Sequence, residues 1–174
     1  MKRSDIKILP EYFDKYINLV DDIDLFDAFE ISVKEINELD LMTIKRVGSK
    51  TYQTNKWTIN EILQHIIDIE RLLTAGTLRF ARNEYDYIIA FDENEIANQS
   101  KANNRTIEQI LEELIAVRTS TIALFKTFDK DDFKKSGINW KHRITVEAMG
   151  FNILGHQIHH LQFIQDNYFP LEKK

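Results

Sequence analysis

The sequence predicts an all-α protein folded as a four-helix bundle, with a short extra helix at its N-terminus. Four long segments place apolar residues at the three-to-four-residue spacing of a helix buried on one face. Glycine and proline number only 5 and 2, too few for the many tight turns of a sandwich or barrel. The chain has 174 residues, 43% hydrophobic and 29% charged. That length suits one domain over residues 1–174, and that balance suits a packed core rather than a disordered chain.

Leu9-Pro10-Glu11-Tyr12 opens the short helix, since proline fits a first turn and an acid suits the positive end of the helix dipole. Tyr12, Phe13, Tyr16, Ile17 and Val20 form its apolar side. Asp21-Asp22-Ile23-Asp24 then interrupts the segment. It lacks the glycine and terminal glutamate of a calcium-binding loop, so it reads as a solvated helix start. The first long helix spans Asp24 to Asp40 on Leu25, Phe26, Phe29, Val33, Ile36 and Leu39.

Met42 to Lys56 is a connection, with a turn at Val47-Gly48-Ser49-Lys50 and a short extended segment possible near Tyr52. Thr58 and Glu61 then form a capping box for the second long helix, which runs to about Asn83. Its buried stripe includes Ile62, His65, Ile69, Leu73 and Phe80. Glu84 to Asn104 is polar and irregular, with one apolar patch at Tyr87-Ile88-Ile89-Ala90-Phe91 followed by Asp92. Its length makes it a candidate lid or pocket wall.

Thr106 caps the third long helix, whose stripe runs from Ile110 to Phe128 with Arg118 beside it. Asp129 to Arg143 is a linker with a turn at Ser136-Gly137. The fourth long helix spans Thr145 to about Asn167, and Pro170 lies beyond its end.

A net charge of -5 and the lack of a basic stripe argue against a nucleic-acid partner. With no cysteine, any bound metal must use nitrogen and oxygen ligands. The N-terminal residues have no apolar segment of the signal-peptide type, and no apolar run approaches the ~18 residues of a membrane span. The expectation is a cytoplasmic protein.

Three of the five histidines fall in Gly155-His156-Gln157-Ile158-His159-His160-Leu161. His156 and His160, four apart, share the inner face of the last helix, whereas His159 is rotated about 100° from His160. With His65 they make three imidazoles on the inward stripes of two helices. Neutral imidazole binds zinc, nickel, copper and iron, and three protein nitrogens leave a coordination position for water or substrate. The alternative is three core histidines satisfied by hydrogen bonds. Asp68 and Glu70 are acids that could orient the far ring nitrogen of His65, and His159 could support the other two. Arg118 and Asp92 are further candidates for the pocket. The nucleophile could be a water acidified by the ion or the thiolate of a second substrate.

Two motifs carry a family resemblance. Trp57-Thr58-Ile59-Asn60-Glu61, continuing through His65, Asp68 and Glu70, resembles the W-[ST]-x-x-E-x-x-x-H-x-x-D-x-E start of the second helix in the DinB-like superfamily. Gly155-His156-Gln157-Ile158-His159-His160 resembles its G-H-x-x-H-H motif, and Ala116 to Thr121 resembles its third helix. The resemblance implies an up-up-down-down bundle and a divalent ion held by His65, His156 and His160. Zinc or nickel comes first, with iron or manganese also compatible.

The resemblance further implies a homodimer. Relatives include metal-dependent hydrolases, transferases of low-molecular-weight thiols such as bacillithiol, and mycothiol-dependent isomerases. The implied activity is transfer of such a thiol to a small electrophile, with metal-dependent hydrolysis or a non-catalytic, stress-associated metal protein as alternatives. Two departures concern the substrate pocket. Ala75-Gly76 stands where close relatives carry an aromatic-arginine pair, and the tryptophan that follows the family's Asp-Glu stretch is missing after Asp92-Glu93.

Overall fold

The computed structural model describes residues 1–84 and 92–173. The apolar patch at 87–91 lies outside the described residues. Helix α1 is a single turn, Asp14–Ile17. The longer helix expected from Leu9 does not form because Tyr12 takes φ 73, in the left-handed region, and Asp14 N–H donates to the Pro10 carbonyl to close a turn first.

Helix α2 spans Leu25–Asn37, and the Asp24 carboxylate accepts from Phe26 N–H as its N-cap. It stops short of Asp40 because that residue caps a separate helix, α3, at Leu41–Val47. The Asp40 carboxylate accepts from Thr43 N–H at 3.0 Å. Part of the expected connection is therefore helical, and Gly48, at φ 60, ends it.

Helix α4, Ile59–Ala81, starts on the expected Thr58–Glu61 capping box. Asp92 caps α5, Glu93–Gln99, within the segment expected to be irregular. Helix α6 is Ile107–Phe125, with Thr106 and Gln109 as its capping box. Helix α7, Lys130–Lys134, leads into a two-stranded hairpin. In it β1, Ser136–Asn139, pairs antiparallel with β2, His142–Thr145.

The turn of that hairpin falls at Trp140-Lys141, with Trp140 at φ 56, and not at Ser136-Gly137. Gly137 is instead a strand residue pressed on the Phe80 ring, where a Cβ would stand 2.1 Å from the ring. Helix α8, Val146–Asn167, starts on Thr145.

The long helices α2, α4, α6 and α8 form the four-helix bundle, and their mutual contacts fix the directions. Asn60 reaches the Arg105 carbonyl, Glu70 meets Arg118, and Thr74 meets Thr121, so α4 and α6 run parallel. Gly150 packs on Leu25 and Gln157 donates to Ser32, so α2 and α8 also run parallel. Phe29 packs on Phe125 while Ser32 meets Arg118, so α2 opposes α6.

The order is thus up-down-down-up rather than the expected up-up-down-down. The physical reason lies in the connections. Ile36, Ile44, Val47 and Ile59 share one apolar cluster, so α3 turns the chain back at the same end. Between α4 and α6 the chain must return the length of α4, about 35 Å for its 23 residues. On that return α5 lies along α4.

The core divides into two apolar clusters, one around Phe29, Phe80, Phe125 and Phe151, the other around Ile36, Ile62, Leu114 and Tyr168. Among the described residues no helix is long and apolar enough to cross a membrane.

Candidate metal centre

Helix α4 contributes His65 from its inner stripe, and α8 contributes His156 and His160, stacked one turn apart. Nε2 of His65 lies 3.2 Å from Nε2 of His156, and Nε2 of His160 lies 3.1 Å from the same atom. One nitrogen from each of the three falls within 4.8 Å of the others. His65 and His156 are buried and His160 is half-buried. Trp57 covers His65 at a ring separation of 4.9 Å, and Tyr16 meets His156 edge-on at 5.4 Å.

Gly155 makes that cover close. A Cβ there would stand 1.9 Å from the Tyr16 carbonyl oxygen, so only glycine lets α1 lie against α8 beside the histidines.

All three imidazoles are held neutral. Burial pushes the His65 ring down to about 4 and, with His65 and His159 nearby, the His160 ring down to about 3. Burial and the neighbouring His160 hold His156 well below the ordinary histidine value. Each ring can therefore present a lone pair at physiological pH.

The donor set fits a metal better than it fits hydrogen bonds. A neutral imidazole nitrogen has one N–H or one lone pair, so Nε2 of His156 can complete a hydrogen bond with only one of its two neighbours. Two nitrogens on one tetrahedral zinc, each about 2.0–2.1 Å from it, stand about 3.3 Å apart. The two measured separations are close to that edge. The three residues could hold one divalent ion.

The remaining candidates lie elsewhere. Both Glu70 oxygens accept from Arg118, at 2.9 and 2.8 Å, and the arginine also bonds the Ser32 hydroxyl. Arg118 is fully buried, an internal ion pair tying α2, α4 and α6 together rather than a group facing a pocket. Asp68 accepts from Gln64 at 3.0 Å and lies 3.8 Å from Arg71.

Neither acid reaches His65, whose Nδ1 is buried with no partner among the described residues. Ion pairs to Arg118 and Arg71 stabilise a carboxylate more than a neutral ring would, which draws both acids away. His159 is exposed, with its ring 5.4 Å from Tyr16. Asp92 is exposed and spends its carboxylate on the cap of α5.

Two clefts open on the histidines. One, of about 230 Å³, includes His156, Tyr16, Trp140, Asn152 and Glu93. The other, of about 250 Å³, includes His160, His159, Lys56, Trp57 and Asn94. The first two residues of α5 thus wall one cleft each. Tyr16 and Asn152 escaped the sequence reading. Tyr16 looked like an ordinary apolar-face residue, whereas Asn152 had a visible signal, sitting four residues before His156 on the same row.

A sequence profile of the DinB superfamily matches residues 27–164. The chain belongs to the DinB superfamily. Comparison with curated proteins found no match. Among solved structures, this DinB-superfamily chain is similar to YfiT from Bacillus subtilis, described as a probable metal-dependent hydrolase with an unusual four-helix bundle topology. The TM-score is 0.67 at 19% identity, over 90% of this chain and 85% of YfiT. At that identity the likeness speaks for the fold.

Proposed function

We propose that this DinB-superfamily chain is a metal-dependent transferase that joins a low-molecular-weight thiol to a small electrophile. His65, His156 and His160 hold one divalent cation, zinc or nickel before iron or manganese. When bound, the cation supplies a Lewis acid with a position left open by three protein ligands. The observation that carries the reading is the pair of clefts, one reaching His156 and the other His160. A bimolecular transfer needs room for two organic molecules, whereas water needs no cleft of its own. Lys56 in the second cleft gives a cation for an acidic thiol cosubstrate.

Hydrolysis is the second reading, favoured by the likeness to YfiT. Zinc- and nickel-loaded protein is assayed with a test electrophile, with and without glutathione-like thiols. Turnover that requires thiol and disappears in His65→Ala and His160→Ala supports transfer. Turnover of esters or amides without thiol supports hydrolysis instead. If the substitutions leave metal content unchanged, the centre itself is wrong.

In the same reading, two copies pair. The open groove between α4 and α6, where Leu78, Ala116, Val117 and Leu124 lie, is an apolar face suited to it. Light scattering is expected to give twice the 20.6 kDa chain mass, and Leu78→Glu is expected to halve it. A monomer at micromolar concentration would end this part of the reading.

A further inference from the structure

We propose that the cleft beside His156 binds an uncharged molecule with an amide-type edge, an N–H next to a C=O, on a flat apolar body, and that Asn152 reads that edge. As a statement about the substrate of the metal centre, this rests on the metal reading above. Its test does not require the ion.

Asn152 precedes His156 by four residues and His160 by eight, continuing their row on α8. It is 2% exposed and lines the cleft. Its Oδ1 is buried without a partner among the described residues. A buried carboxamide oxygen left unpaired destabilises the fold, so packing does not explain the residue. Asn139, 5% exposed, brings a second carboxamide to the same cleft from the hairpin. A carboxamide both donates and accepts, and its complement is another amide-type edge.

The walls set the body of the ligand. Tyr12, Tyr16 and Trp140 line the cleft and favour a flat apolar group. They do not favour a charged one. The Lys15 ammonium already lies 4.1 Å from the Tyr12 ring centroid and 4.7 Å from that of Tyr16, which repels a second cation. The Glu93 carboxylate in the same cleft repels an anion.

The chain's two tryptophans separate the clefts, Trp140 lining this one and Trp57 the other. Their indole N–H signals in a proton–nitrogen NMR spectrum therefore report on each site. Benzamide is the probe, with N,N-dimethylbenzamide, benzylamine and benzoate as comparisons, with and without zinc. Benzamide is expected to shift the Trp140 signal saturably. Affinity should fall at least fivefold for N,N-dimethylbenzamide, which has no donor, and at least fivefold for benzamide in Asn152→Leu. The same variant should keep or raise the unfolding midpoint, and Asn152→Ser replaces it if leucine does not fit.

Equal benzamide binding by wild type and variant, tighter binding of benzylamine or benzoate, or no saturable Trp140 shift would each overturn the proposal. Failure to bind zinc with benzamide binding intact would end the metal reading alone.

Discussion

Gly155 and Tyr16 touch backbone to backbone: a Cβ on Gly155 would fall 1.9 Å from the Tyr16 carbonyl oxygen. This contact holds the one-turn helix α1 against α8, and the Tyr16 ring then covers His156 and meets the exposed His159 edge-on. Gly155→Ala must push α1 away. The expected cost is about 1–3 kcal/mol of stability, the usual range for overpacking, together with faster exchange of the metal. Urea unfolding and the rate of zinc loss to a chelator check it. An unchanged chelation rate would show that α1 does not guard the centre.

Arg118 and Glu70 form a buried ion pair with no solvent to replace either partner. Arg118→Met leaves a bare carboxylate among apolar groups and is expected to cost about 3–5 kcal/mol. Arg118→Met with Glu70→Gln removes the charge as well and should recover a large part of that loss. Denaturant titration of both variants, with zinc content measured alongside, tests whether the pair is architectural. Loss of zinc in a variant that remains folded would tie it to the centre after all.

The metal-free protein should lose stability on mild acidification. The unfolded chain takes up protons on His65 near the ordinary value of 6.5, while the folded ring resists until about 4. Between those values the unfolded state binds more protons, so stability is full above 6.5 and falls as pH drops toward 4. The expected loss from His65 alone is roughly 3 kcal/mol. His65→Phe should lessen the slope of this part of the pH profile, measured by denaturant midpoint from pH 7.5 to 4.5, leaving the share of His156 and His160. Parallel curves for wild type and variant would contradict the burial argument.

Asp92 caps α5 through Asn94 and Glu95 N–H groups at 2.9 and 3.1 Å. Asp92→Ala should cost about 1 kcal/mol at most and should raise hydrogen exchange across 93–99 without altering zinc affinity. A large drop in zinc affinity would tie Asp92 to the centre.

The histidine triad was legible because both motifs follow helical periodicity, which fixes the face a residue occupies within its own helix. The caps Thr58 and Thr106 and the helix starts at Asp24 and Thr145 are legible for a local reason too, since each depends on residues within one turn. Relations between helices were not. Nothing along the chain announces that Glu70 turns to Arg118, 48 residues away, since a buried charge finds its partner through packing and not through spacing. Helix α3 and the hairpin show only as linker in the sequence because each is short and is held by distant packing, Ile44 and Val47 against Ile36 and Ile59 and Gly137 under Phe80. The direction of the helices likewise depends on where connections turn, which periodicity does not encode.

His65 and His156 stand 91 residues apart in the chain yet share one centre. Closing a loop of that length costs conformational entropy that local contacts cannot recover, and synthesis delivers α8 after α4. A nascent chain therefore carries one imidazole of the three until α8 emerges and docks. The triad is completed as a late step of folding, and an ion bound there would record that the polypeptide has reached this topology.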